Sequence, residues 1–303
     1  MTFDRSKLQE RKSCPLCGSA DRGLRFNLDG FRIVRCEDCT FQYVLDVAPA
    51  AANTAYYEEG YSGERHKQGQ QVNASVNIGM LRKLGDLSGK RLLDVGSGFG
   101  FLAAAARDEL GMQVEGVELS QHERDYAGEM LGISTHASLD ALPADAKFDV
   151  ISLFEVIEHV LEPKQFMQLL AERLAPGGVL MVGTDNFDAD AVQAMGEGFP
   201  KWIPNQHISL FNPATLPRVV SDMAVTTRQS YTPWEYWARV AVMRATGGRK
   251  GAKHFTLADE LATEDSRGYN FFPLRKSFNA AYAHMTKSDT LDGAMMYATF
   301  QKV

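Results

Sequence analysis

The run Arg91-Leu92-Leu93-Asp94-Val95-Gly96-Ser97-Gly98-Phe99-Gly100 constrains this chain more than any other part of it. Apolar residues lead into glycines at alternate positions, and Phe101-Leu102-Ala103-Ala104-Ala105-Ala106 follows at once. That order reads as strand, tight turn and helix. Glycine belongs in such a turn because it accepts positive φ and leaves no Cβ between backbone and ligand. The turn is therefore expected to cradle a nucleotide. A dinucleotide fingerprint needs G-x-G-x-x-G, so that a pyrophosphate can sit on the helix N-terminus. Here the third glycine comes one residue early, which argues against a nicotinamide cofactor.

A second strand-like run, Met112-Gln113-Val114-Glu115-Gly116-Val117, closes on Glu118. Asp94, the alternating glycines and Glu118, in that order and spacing, resemble motif I and the following acidic position of class I S-adenosylmethionine-dependent methyltransferases. The resemblance implies that the Asp94 to Phe99 turn, through Gly96, Ser97 and Gly98, packs against the methionine and ribose portions of the cofactor. It also implies that Glu118 accepts the ribose hydroxyls and that Leu119 lies against adenine. Ser138 and Leu139 fall where the family contacts adenine, often through backbone amides. Phe154 and Glu155 fall at the methionine end, and Asp149 matches a family position that orders the fold.

From residue 89 onward the chain alternates strands and helices, the pattern of a parallel sheet covered on both faces. Strands are predicted at 91–95, 113–118, 133–136, 148–154 and 179–184, with a turn at Pro176-Gly177-Gly178. A sixth is expected at 224–231 and a seventh at 295–302. The fold class is thus α/β: a Rossmann-like seven-stranded sheet whose last strand, by the resemblance, inserts antiparallel. A helical insertion over about 233–292 is expected to cover the substrate side, where such folds place their ligands. It carries Trp234, Trp237 and a basic run from Arg249 to Lys253, read as a solvated loop.

All four cysteines lie in the first forty residues, as Cys14-x-x-Cys17 and Cys36-x-x-Cys39. Two thiolate pairs at this spacing complete a tetrahedral structural zinc site, a zinc ribbon, and leave no position open for catalysis by the metal. The ribbon is assigned to residues 1–45, a helical connector or cap to 46–88, and the methyltransferase domain to 89–303. The connector contains Tyr56-Tyr57-Glu58-Glu59-Gly60-Tyr61. Ribbon, tyrosine segment and motif I in this order resemble a bacterial subset of class I methyltransferases that act on sugars and natural-product intermediates. That resemblance makes Tyr57 and Tyr61 candidates for closing over the methionine end of the cofactor.

Methyl transfer from a sulfonium is an in-line displacement, so an enzyme mainly aligns the nucleophile and excludes water. A hydroxyl acceptor also needs a base or a metal. Glu155-Val156-Ile157-Glu158-His159 follows the fourth strand directly, and His159 is the best-placed base because imidazole titrates near neutral pH. The E-x-x-E-H string resembles that of ubiquinone-pathway O-methyltransferases and small-RNA 2′-O-methyltransferases, where it helps hold a divalent metal together with a later histidine. Here that histidine is His207, so Glu155, Glu158, His159 and His207 form a candidate site for Mg²⁺, Mn²⁺ or Zn²⁺. The competing expectations are histidine catalysis without metal and a purely structural string. Trp202 is a candidate for either the substrate pocket or the core.

A formal charge of −6 and a pI near 5.7 offer no global field to hold a polyanion, which places nucleic acid second among partners. No run reaches the ~18 apolar residues that span a bilayer, and the polar start Met1-Thr2-Phe3-Asp4 lacks a signal core, so a cytoplasmic protein with no membrane partner is expected. The expected function is transfer of a methyl group from S-adenosylmethionine to a small molecule, forming an O-methyl product in a bacterial natural-product or saccharide pathway. The alternatives are an RNA methyltransferase and a small-molecule C- or N-methyltransferase. The acceptor and the oligomeric state are not encoded in any motif.

Overall fold

Four hydrophobic strands with turn signals between them build the middle of the molecule. In the computed structural model, which describes residues 7–49, 63–246 and 271–302, β6 (Arg91–Val95), β7 (Gln113–Val117), β8 (Thr135–His136) and β9 (Phe148–Phe154) pair in parallel, as does β10 (Leu174–Asp185) with β9. β12 (Met223–Tyr231) and β13 (Met295–Lys302) complete a seven-stranded sheet in the order β12-β13-β10-β9-β6-β7-β8. β13 lies between β10 and β12 and runs antiparallel to both, with Val182 opposite Ala298 and Arg228 opposite Ala298 on the other side. The expected strand at 133–136 shortens to its last two residues. The strand expected from 179 starts instead at Leu174, with an irregular register between Leu174 and Val179. Pro176 has no N–H to contribute there, so the ladder breaks and resumes after Gly178.

Helices α1 (Glu64–Leu81), α2 (Phe101–Leu110), α3 (Gln121–Leu131), α4 (Pro163–Glu172), α5 (Asp190–Met195), α6 (Trp234–Ala245) and α7 (Phe272–Thr286) flank the strands. α1 buries Val72, Val76, Ile78, Met80 and Leu81, and it packs on α2 and α7. α6 and α7 are the described parts of the expected 233–292 insertion. The basic run from Arg249 to Lys253 lies outside the described residues, as do Tyr57 and Tyr61.

The cysteine module is not set apart from the larger sheet. β1 (Gln9–Glu10) pairs with β5 (Asp46–Val47), while β2 (Arg22–Leu28), β3 (Phe31–Cys36) and β4 (Gln42–Val44) form an antiparallel sheet. Its fourth strand is β11 (Ser209–Leu210), contributed from far along the chain. The Asp188 carboxylate fastens the same junction, accepting from Gln42 Nε2 at 2.8 Å, Asn212 Nδ2 at 2.9 Å and Arg25 at 3.2 Å. Val34, Phe41 and Tyr43 of the module share one apolar core with Leu93, Ile151 and Phe300 of the large sheet.

Candidate active site

The glycine turn has the backbone that its sequence demands. Gly96 and Gly98 hold φ of 69° and 54°, a region costly for other residues. A Cβ on Gly96 would stand 2.3 Å from Val156 Cγ2. The Gly98 N–H donates to Glu118 Oε2 at 3.0 Å and the Ser120 N–H to Oε1 at 2.9 Å, so the carboxylate is aimed along the rim of the turn. Burial raises the Glu118 carboxyl above its ordinary range, and the charge of Glu123 adds to this against the two amides. Leu119 is half-buried beside it. Asp94 lies below the turn, fully enclosed, and accepts from Ser152 Oγ at 2.6 Å; desolvation, opposed by that bond, pushes its carboxyl up to about 7. Ser97 is buried, with a hydroxyl that has no partner. Ser138 precedes a short 3₁₀ turn, Leu139–Ala141, and Leu139 packs on the core.

Helix α1 supplies residues on which sequence reading is silent. Gln70 Oε1 accepts from the Phe99 N–H at 2.9 Å, and the Gln70 amide is the group that a Cβ on Gly98 would strike. Its Nε2 lies 3.2 Å from Glu123 Oε1, which also meets His66 Nε2 at 2.9 Å. Asn73 Nδ2 donates to Glu155 Oε2 at 2.5 Å. A polar face on a helix looks like a solvated face until the turn beneath it is in place.

Phe154 ends β9 with its ring 5.8 Å from that of Tyr297, and the chain then turns sharply at Glu155, a non-glycine residue at φ 55°. Such strain persists where surrounding contacts fix it, often at functional sites. Glu155 Oε1 takes a short ion pair from Lys201 Nζ, which also donates to Asp185 Oδ1 at 3.0 Å. Burial alone would raise the Glu155 carboxyl, but the Lys201 ammonium overrides this and holds it below its usual range. Lys201 is itself held well above the ordinary lysine value, because Asp185 and Glu155 outweigh its burial. Glu158 is enclosed; its Oε2 accepts from Thr184 Oγ1 at 2.8 Å and its Oε1 has no hydrogen-bond partner among the described residues. Burial, with the charges of Asp185 and Glu155, pushes Glu158 up to about 8, so it is protonated at neutral pH.

His159 Nδ1 lies 3.1 Å from the Gln206 carbonyl and His207 Nδ1 lies 2.9 Å from the Lys201 carbonyl. A carbonyl only accepts, so each Nδ1 carries the proton and each Nε2 keeps its lone pair. The rings meet edge to face at 4.8 Å. Desolvation pushes His159 down to about 4 and His207 well below its ordinary value, leaving both neutral at pH 7.

The four expected metal ligands do not converge on one point. Donor atoms of Glu158, His159 and His207 lie within 4.8 Å of one another, whereas Glu155 groups with Glu158 and Asp185. Lys201 and Asn73 already engage the Glu155 carboxylate, so the set as a whole does not fit a divalent cation. Asp185 and Lys201 are absent from the sequence-derived set. Asp185 ends an apolar strand, as Glu118 does, which is a usable signal; Lys201 carries none. Trp202 is core: it is 2% exposed, donates Nε1 to Gly196 O at 2.9 Å and stacks within Phe187, Phe199 and Phe26. Trp234 and Trp237 lie on α6 with part of each ring exposed.

In the N-terminal module the four sulfurs lie within 4.8 Å of one another, with Cys14–Cys39 at 3.6 Å and Cys17–Cys36 at 3.5 Å. A disulfide requires about 2.05 Å. A ZnS₄ tetrahedron with Zn–S of about 2.3 Å has edges of about 3.8 Å, which these spacings approach. Among the described residues, this is a tetrathiolate arrangement.

Comparison with known proteins identifies the family. A family model described as "Methyltransferase domain" matches residues 73–223. The ubiquinone biosynthesis O-methyltransferase of Idiomarina loihiensis is 31% identical over 169 residues, which cover 50% of this chain and 68% of that protein. The chain belongs to the S-adenosylmethionine-dependent methyltransferases. The enzyme of the same name from Caulobacter sp. is 35% identical over 133 residues, covering 38% of this chain and 50% of that one. The matches thus span about half to two thirds of these relatives' own length. A chain from the Haloferax volcanii complex of a methyltransferase activator with a methyltransferase shares the fold at 14% identity and a TM-score of 0.51, covering 82% of this methyltransferase and 97% of that chain. These relatives are named for ubiquinone biosynthesis, a different pathway from the natural-product or saccharide one expected from the sequence. Among the described residues, no helix of this methyltransferase is long and apolar enough to cross a membrane.

Proposed function

We propose that this methyltransferase forms an O-methyl group on a hydroxyl of a small-molecule acceptor, with the glycine turn and Glu118 holding the cofactor and His159 taking the acceptor proton. The observation that carries this reading is the pair of neutral imidazoles, His159 and His207, whose Nδ1–H groups are tied to carbonyls, which fixes the tautomer with the basic lone pair on Nε2. The relatives' name, ubiquinone biosynthesis O-methyltransferase, supports a hydroxyl as acceptor. S-adenosylmethionine, when bound, supplies an activated methyl group on a sulfonium. The chain's own residues do the rest. Glu118 is set to receive the ribose hydroxyls, and Gly96 and Gly98 add no side chain of their own to the cradle. Phe154, Val156 and Tyr297 keep the transfer path apolar, which excludes water.

Cys14, Cys17, Cys36 and Cys39 are proposed to hold a structural zinc, supported by their tetrathiolate spacing. Nucleic acid is disfavoured by the acidic balance of the chain. Calorimetric titration with S-adenosylmethionine should give one site, and a panel of mono- and dihydric phenols assayed for S-adenosylhomocysteine release should yield turnover. Absence of cofactor binding would refute the cradle, and turnover confined to amines or to RNA would refute the O-methyl assignment. Metal analysis should find one zinc per reduced chain.

A further inference from the structure

The acidic groups behind the acceptor site already have a cation, and it belongs to the chain. Lys201 Nζ lies between Glu155 Oε1 and Asp185 Oδ1, the second at 3.0 Å. Asp185 is completely shielded from solvent, Lys201 nearly so at 15% side-chain exposure, and the lysine's remaining direction leads to the Met295 sulfur at 3.9 Å, a weak acceptor. Its backbone is pinned on both sides. The Lys201 carbonyl accepts from His207 Nδ1, and the next residue, Trp202, is locked in the core. The backbone that carries the ammonium is thereby held in place, and its two carboxylate partners hold the side chain. Glu155, Glu158 and Asp185 could otherwise gather around one ion, since their donor atoms lie within 4.8 Å of one another. A divalent cation entering that space would meet a fixed positive charge at contact distance, and burial would leave the repulsion poorly screened.

We propose that Lys201 is the resident cation of this active site: its ammonium replaces, between Glu155 and Asp185, the divalent metal that the E-x-x-E-H string implies. This rests on the methyl-transfer reading above. In the step, the acceptor O–H proton passes to His159 Nε2. The oxygen lone pair forms the new O–CH₃ bond as the methyl–sulfur bond breaks, and its electron pair stays on sulfur as a neutral thioether. Lys201 remains protonated throughout and supplies the fixed positive charge that a bound metal supplies in other enzymes. No metal is consumed or required.

The test is Mn²⁺ titration followed by electron paramagnetic resonance, on the full chain with its ribbon zinc verified by metal analysis. Wild type and Lys201→Arg, which keeps the charge, should bind no Mn²⁺ at this cluster. Lys201→Ala should gain one Mn²⁺ site at least about tenfold tighter than anything in wild type, since the buried Glu155 and Asp185 carboxylates are then left without a cation. One Mn²⁺ bound by wild type and lost in Asp185→Asn would overturn the proposal. So would identical titrations of wild type and Lys201→Ala, whether both bind or neither does. If Lys201→Ala does not fold, the wild-type titration with its Asp185→Asn control still decides. The readout needs neither cofactor nor acceptor, so a failure of cofactor binding, which would sink the methyl-transfer reading, is seen separately.

Discussion

The proposed cofactor half and the proposed acceptor half of this site are built in opposite ways. In the first, Gly96, Gly98 and Glu118 come from two neighbouring strand ends, and the backbone does most of the work: positive-φ glycines and amides donated to one carboxylate. In the second, Glu158, Asp185, Lys201 and His207 come from separate segments and are held by side chains that neutralise or orient one another. The cysteine module braces only one of these arrangements directly through backbone. Val44 N–H donates to the Ile208 carbonyl at 3.1 Å, and Ile208 N–H donates to the Glu158 carbonyl at 2.8 Å. A binding cradle for an invariant cofactor can be local, whereas an acceptor site that must tune charge needs groups brought together from a distance.

That contrast can be broken at several points. Gly96→Val should have the largest effect, because valine meets both a left-handed backbone and Val156; a loss of at least about a thousandfold in cofactor affinity is expected. Calorimetry giving an ordinary Kd would mean that the turn is not the cofactor half. His159→Ala should lower turnover by roughly 10²- to 10⁴-fold while leaving the cofactor Kd within about twofold. A parallel fall in affinity would show that the halves are not separable.

Stripping the proposed zinc should speed amide exchange by about tenfold or more over residues 204–212 and leave 91–118 protected, as read by hydrogen-exchange mass spectrometry. Uniform loosening of both segments would erase the asymmetry. The smallest effect is expected at Asp94, whose carboxyl is pushed up to about 7 by desolvation. Between the unfolded value of about 3.9 and that folded value the native state binds the extra proton, so the associated stability is present below about pH 4 and fades as pH rises towards 7. Asp94→Asn should therefore gain a few degrees in Tm over wild type at pH 8, with a smaller gain at pH 5. Equal Tm differences at both pH values would place Asp94 in solvent-like surroundings.

The sheet was legible because each strand is a short apolar run ending in a turn residue, and β9 appears at the predicted 148–154. Glu118 was legible for a similar reason: it sits at the end of such a run, one strand away from the glycines. The ribbon's sulfurs could be grouped from spacing alone. The residues from 186 to 222 were not readable, since α5, short 3₁₀ turns and the two-residue β11 have no sustained periodicity. That same stretch holds Asp188, Lys201 and His207. The role of α1 was equally hidden, because Gln70 and Asn73 look like surface polar residues until the glycine turn and Glu155 are placed beneath them.

By itself the sequence determined the α/β class, the glycine turn, the cysteine tetrad and the succession of strands along the chain, all of which depend on contacts between near neighbours or on strict periodicity. Tertiary structure decided which carboxylate meets which cation. Glu155 and His207 look like co-ligands in one dimension, but the fold sends Lys201 between Glu155 and Asp185 and turns His207 towards His159. Electrostatic pairing at contact distance depends on where β9, β10 and the segment after α5 cross, and spacing along the chain carries no information about that crossing.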